Sequence, residues 1–263
     1  MKSRLDKRSM IFRSAFFVLL LMLVFSVSSS YFTEEDTRGR VSQVDGRVKK
    51  RSTLSENWED ALVNTDVGGG DEVRTYRQSR AELELTELDL VRMAPQTRIV
   101  VKKLYEEKKA RKRELSIDVE EGDIWANVGG NTGNLDFQIK TPRAAAAITG
   151  TVFRLGIDAD STTQFKVYKG EVRVTNAPHR TDLQPKLINP QEVPGPYEIP
   201  GPQEVSLNEW LYIVKNMQQI SIDKNGKVTK TGTFKEDDAD EQIDWVKWNI
   251  AQDRRWDRLI RQR

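Results

Sequence analysis

The chain has no cysteine and a single histidine among its 263 residues. The first absence rules out a disulfide framework, a cysteine nucleophile and zinc held by thiolates. It also rules out a lipid anchor, which would need a cysteine just after the leader. The second absence leaves His179 as the one imidazole for a Ser/His arrangement. It stands beside Pro178 in a turn-like stretch that no motif frames. A Gly-rich phosphate loop leading into a Lys-Ser/Thr pair is missing too. Asp158-x-Asp160-x-Thr162 starts like a calcium loop but lacks the glycine and the closing glutamate, and reads as a hairpin turn. Carboxylates are plentiful, yet no pattern pairs two of them for acid–base work. No catalytic residue, metal ligand or cofactor site is assigned, and the chain is read as not an enzyme.

What is present begins with a leader. Lys2, Arg4, Lys7, Arg8 and Arg13 face one acid, Asp6, and residues 15–27 are uncharged and apolar. Ser28, Ser29 and Ser30 follow. A positive start, a short apolar run and small residues after it describe a secretory signal. The run becomes an uncleaved anchor if Tyr31 and Phe32 are counted in, since a span needs about 17–25 apolar residues. Residues 1–30 are therefore a signal peptide or a signal anchor. Either way the body is exported across the inner membrane and is periplasmic, soluble or anchored, because the positive end stays behind. The leader carries 5 of the 42 basic residues and 1 of the 40 acidic ones, which leaves residues 31–263 at a net −2. The basic balance belongs to the leader, so it gives no support for a nucleic-acid partner.

From residue 39 to about residue 175 apolar and polar residues alternate. Ala81, Leu83 and Leu85 enclose Glu82 and Glu84; Ile124, Ala126 and Val128 enclose Trp125 and Asn127. Such alternation suits strands with one face on a core and one face wet. Turn signals punctuate it at Asp45-Gly46, Gly68-Gly69-Gly70-Asp71, residues 129–133, Asp158-Ala159-Asp160 and Lys169-Gly170. Many short strands so spaced argue for a β-sandwich or barrel. A short echo recurs in Val44-Asp45-Gly46-Arg47-Val48, in residues 119–124 and in residues 167–172: a strand end, a Gly-bearing turn, then a new strand.

Three stretches differ. Residues 102–113 are rich in lysine and arginine and read as an extended hairpin tip or short helix, with contact to an anionic surface as the alternative. Residues 177–205 form a Pro-rich strap or linker, in which neither a helix nor a central strand fits. Residues 206–263 read as a helical C-terminal region. Its first helix opens on a Ser206–Glu209 capping box and puts Trp210, Leu211, Val214 and Met217 on one face. Its tail starts acidic, ends in arginines and sets Trp245, Trp248, Gln252, Trp256 and Leu259 close to one stripe. Docking on its own domain competes there with a partner helix or membrane surface. Trp210, Trp245, Trp248 and Trp256 are the candidate partner-binding residues.

The most distinctive stretch is residues 141–155: Thr141-Pro142, an alanine run from Ala144 to Ala147, then Gly150-Thr151-Val152-Phe153. It resembles the core motif of FecR-like domains. Other pieces are similar to that family in the same order. They are Gly70-Asp71 with Thr75, residues 79–85, Met93-Ala94-Pro95 with Thr97, Glu121-Gly122-Asp123 and Lys169-Gly170-Glu171. Read on its own, Thr141-Pro142 starts a strand, the alanines let sheets approach closely, and Gly150 permits a corner before Phe153 re-enters the core. The resemblance covers residues 39–176. It implies a mainly β fold, a jelly-roll-like antiparallel β-sandwich, to which the C-terminal α-helices are added. It also implies a periplasmic role in sensing, relaying a signal or assembling the envelope. At most residues 1–14 would be cytoplasmic, too few for a folded anti-sigma domain, so a complete anti-sigma regulator is not expected.

The functional expectation is a non-enzymatic protein-interaction module of envelope signalling or assembly, with an envelope protein as partner. The inner membrane is a partner only if the leader stays uncleaved. The alternative is a glycan- or peptidoglycan-binding module in which Trp58, Trp125 or Tyr105 stack on sugars.

Overall fold

In the computed structural model the alternating pattern becomes sixteen strands among the described residues, which are 38–107, 109–129, 134–180, 182–188 and 209–260. The leader and most of the Pro-rich stretch lie outside them. The early strands are β1 (Gly39–Asp45), β2 (Val48–Ser52), β3 (Glu59–Asp60), β4 (Asp66–Val67), β5 (Asp71–Thr75), β6 (Arg80–Glu84), β7 (Asp89–Met93) and β8 (Arg98–Glu107). Then come β9 (Lys112–Val128), β10 (Asn134–Lys140), β11 (Ala145–Ile157), β12 (Thr163–Thr175), β13 (Lys186–Leu187), β14 (Leu211–Lys215), β15 (Gln218–Ile222) and β16 (Val228–Thr233). One α-helix, α1 (Asp244–Ile260), closes the described chain.

The pairings fold into two layers. The first runs β4-β1-β6-β7-β9-β11-β12-β15-β16, and the second runs β3-β2-β5-β8-β9-β10-β11-β12-β14-β13. Strands β9, β11 and β12 belong to both. The first part of β9 lies between β8 and β10, and its second part between β7 and β11. Pairing is antiparallel except at β9–β10 and β13–β14, which are parallel.

The layers meet in one core. Val41, Leu83, Val91, Ile124, Phe153 and Phe165 from the first layer pack with Val73, Ile99, Ile117, Phe137, Ile148 and Val172 from the second. All twelve side chains are essentially closed to solvent. Their alternation with polar neighbours made this face legible in the sequence. Burial of side chains of this size contributes about 1.5–3 kcal/mol each, which the ordering of the chain then largely offsets.

The Gly-bearing echoes are corners where the chain passes from one layer to the other, rather than hairpin turns. At Gly122 φ is +92°, and an added Cβ would lie 2.4 Å from Thr97 Oγ1. At Gly170 φ is +87°, and a Cβ would lie 2.6 Å from the carbonyl oxygen of Gly150. Neither position accepts a side chain without displacing backbone. The register of β11 slips between Thr149 and Val152, which marks Gly150 as a further crossing.

Two sequence expectations are corrected. The segment after Ser206 is not a helix where it is described: Leu211–Lys215 is strand β14, and Met217 sits in the turn to β15. The run Trp210-Leu211-Tyr212-Ile213-Val214 is apolar throughout, so it satisfies helical and alternating periods equally. Pairing of β14 with the free edge of β12 decides for the strand. Ser206 itself is outside the described residues. Likewise, Thr141-Pro142 does not start a strand. It forms the turn of the β10–β11 hairpin, in which Thr141 Oγ1 accepts the Ala144 N–H at 3.0 Å. Residues 102–107 and 109–113, read from the sequence as hairpin tip or short helix, belong to the hairpin of β8 and β9.

Candidate functional site

The first layer turns a polar outer face outward, and the C-terminal segment covers it. Arg92 on β7 is fully buried there. Its Nε donates to Glu82 at 2.7 Å and its Nη1 to Asp253 of α1 at 2.7 Å. Trp125 on β9 donates its indole N–H to the other Asp253 oxygen at 2.8 Å. Asp123 receives Trp245 Nε1 at 2.9 Å on one oxygen and Arg154 Nε at 2.7 Å on the other. Lys166 on β12 donates to Glu241 at 2.7 Å and also pairs with Asp240. The Tyr168 hydroxyl donates to Glu241 at 2.7 Å.

This sheet-to-helix clasp therefore combines ion pairs and aromatic rings. Trp125 leans on Tyr168 with centroids 4.3 Å apart, and Trp245 stacks on Trp248 at 5.5 Å. Burial pushes the Asp123 carboxyl above its ordinary value, against the pull of Arg154. Burial, reinforced by Glu241, holds the Tyr168 phenol far above the usual tyrosine range. Removing one partner from such a cluster leaves a buried charge or donor uncompensated.

Trp245 and Trp256 are buried against the sheet, and Trp248 is half-buried. Trp210 is far from them. It is buried beside the second layer, and its indole N–H reaches the Gly226 carbonyl at 3.0 Å. The structure thus gathers Trp245, Trp248 and Trp256 on α1 and leaves Trp210 elsewhere. Sequence reasoning missed Arg92, Asp123, Arg154 and Lys166, although charged residues at outward positions of otherwise apolar strands were the visible sign. It also missed that Trp125 would be covered, which removes that ring from sugar stacking. Trp58 lies under Arg51 at 4.9 Å, and Tyr105 lies beside Lys112 at 5.6 Å.

Beside the start of α1 lies a cavity of about 490 Å³ lined by Asp45, Arg77, Gln78, Arg80, Pro95 and Gln96. Arg80 bridges it to the helix, pairing with Asp244 at 2.5 Å and lying 5.3 Å from the Trp248 ring. Ile243, 40% exposed, is at the same place in the chain. The floor of the corner is held by Thr75, whose hydroxyl donates to the Ala94 carbonyl at 2.6 Å and accepts the Thr97 N–H at 3.0 Å. Asp71 caps its own turn by accepting the Gly68 N–H at 2.9 Å. Thr151 ties the Gly150 crossing to β12 through the Glu171 carbonyl at 3.0 Å. Of the motif residues named from the sequence, Asp71, Thr75 and Thr151 thus hold turns and crossings, and Phe153 packs in the core. Among the described residues no group of acidic and histidine side chains is arranged to hold a metal ion.

A family model described as FecR protein matches residues 71–173. Those residues form a FecR-like domain, and the layered strands described above extend it on both sides. No curated protein matches the chain. Two crystal structures of an anti-sigma factor candidate from Parabacteroides distasonis are similar to 62% of this chain, at 16% identity and a TM-score of 0.41. The likeness spans 59% of that protein.

Proposed function

We propose that the chain is an exported FecR-like domain protein that works in envelope signalling or assembly by binding another protein, without catalysis of its own. The observation that carries this reading is the cavity beside the start of α1, where Arg80 of its lining lies 5.3 Å from the half-buried ring of Trp248. Arginine side chains in a partly open concavity, with an aromatic ring beside them, are what protein contacts use. The FecR-like domain supports the signalling context, and the leader supports the periplasm. No helix among the described residues is long and apolar enough to cross a membrane.

The test is affinity capture from an envelope extract with the full chain and with Trp248→Ala and Gln96→Arg variants. A defined partner, recovered with the parent chain and lost with both variants, supports the reading. Sedimentation with purified sacculi and no protein partner would overturn it in favour of the glycan-binding module.

A further inference from the structure

The β8–β9 hairpin carries Lys102, Lys103, Lys109, Arg111 and Lys112, all of them exposed except Lys112, which is half-exposed. Lys103 and Lys112 share Glu114, and Lys102 pairs with Asp118 at 3.6 Å. No ion pair is formed at the tip by Lys109 or Arg111 within salt-bridge distance of a described carboxylate. The hairpin was one of the features singled out in the sequence that the partner-binding reading does not use.

Its place in the fold gives it a direction. The described chain begins at Arg38, whose side chain reaches Gly68, and Gly39 pairs with Val67. The Gly70 N–H donates to the Val101 carbonyl at 2.7 Å, and the Thr53 N–H donates to the Gly70 carbonyl at 3.0 Å. The entry of the chain, the turn bearing Leu54 and the start of the hairpin therefore form one rim. Leu54 is 96% exposed on that rim. From Val101 to Glu107 strand β8 continues about 20 Å farther toward the same end.

We infer that the tip of the β8–β9 hairpin, through Lys109, Arg111 and Lys112, docks on an anionic phospholipid surface. Charge complementarity supplies the attraction, and each basic residue near such a surface strengthens binding about fivefold at physiological salt. The inference rests on export, but its charge dependence is measurable whether or not the leader is cut.

The absence of cysteine makes the test direct. Ala110→Cys at the tip and Asn225→Cys in the β15–β16 turn are each labelled with a fluorophore in the full chain. The protein is reconstituted in phosphatidylcholine vesicles, with or without roughly one lipid in three replaced by phosphatidylglycerol, carrying a headgroup quencher. If the chain is recovered without its leader, it is added to preformed vesicles of the same two compositions. Quenching at position 110 should exceed that at position 225 several-fold on anionic vesicles. The excess should vanish on neutral vesicles, at high salt, and with the triple change Lys109→Glu, Arg111→Glu and Lys112→Glu. Equal quenching at the two positions would overturn the inference, as would an excess that survives charge reversal.

Discussion

The guanidinium of Arg92, with no exposed surface, donates to the carboxylate of Asp253 at 2.7 Å and so fastens α1 to β7. The same carboxylate holds the Trp125 indole. Asp253→Ala should leave the Trp125 indole without its acceptor and break the ion pair of buried Arg92 with α1, at a cost of about 3–5 kcal/mol to helix docking. Hydrogen exchange should show residues 244–260 losing protection while β9 and β11 keep theirs. Unchanged protection of the helix would show that the clasp does not depend on this pair.

At the layer crossing, Gly122→Ala should destabilise the fold by at least about 2 kcal/mol. The left-handed backbone there disfavours any side chain, and the new methyl would meet Thr97, a residue of the adjacent loop. A denaturant melt reads the loss. A variant as stable as the parent would mean that the crossing relaxes freely.

The Thr75 hydroxyl is closed to solvent and satisfies one carbonyl and one N–H of the neighbouring loop. Thr75→Val keeps the shape and removes both bonds, and should cost about 1–3 kcal/mol. Thr75→Ser should restore part of that stability, which a purely steric role for the methyl would not allow.

How much of this was legible in the sequence depends on which contacts are periodic. Ile117, Ile124 and Phe153 announce themselves, because a period of two with apolar residues inside needs no knowledge of the partner strand. The crossing at Gly170 was seen as a turn, since a glycine next to a strand end signals a bend without telling where the chain goes next. Trp210 was misread because five apolar residues in a row carry no period at all. Arg92 and Asp253 were invisible as a pair: they are 161 positions apart, and only the packing of α1 on the first layer brings them together.

The hairpin should respond to acid. Hydrogen bonding to Lys103, then to Lys112, holds the Glu114 carboxyl at about 2. A carboxyl lowered in the folded state stabilises above the ordinary glutamate range, and that contribution is lost as pH falls through about 2. Carboxyl NMR should place the Glu114 midpoint there, and the protection of amides in the hairpin, relative to their intrinsic exchange rate at each pH, should fall below about pH 4. A midpoint in the ordinary range would show that the lysines do not hold it.

Strands β9, β11 and β12 are common property of the two layers, so the sandwich has no seam. A tug on one layer is carried into the other by covalent backbone, with no hinge to absorb it. Unfolding of the strands should follow as one transition, and cutting the chain between layers should leave neither half able to stand. Such a build turns a contact made at one face into a load on the whole.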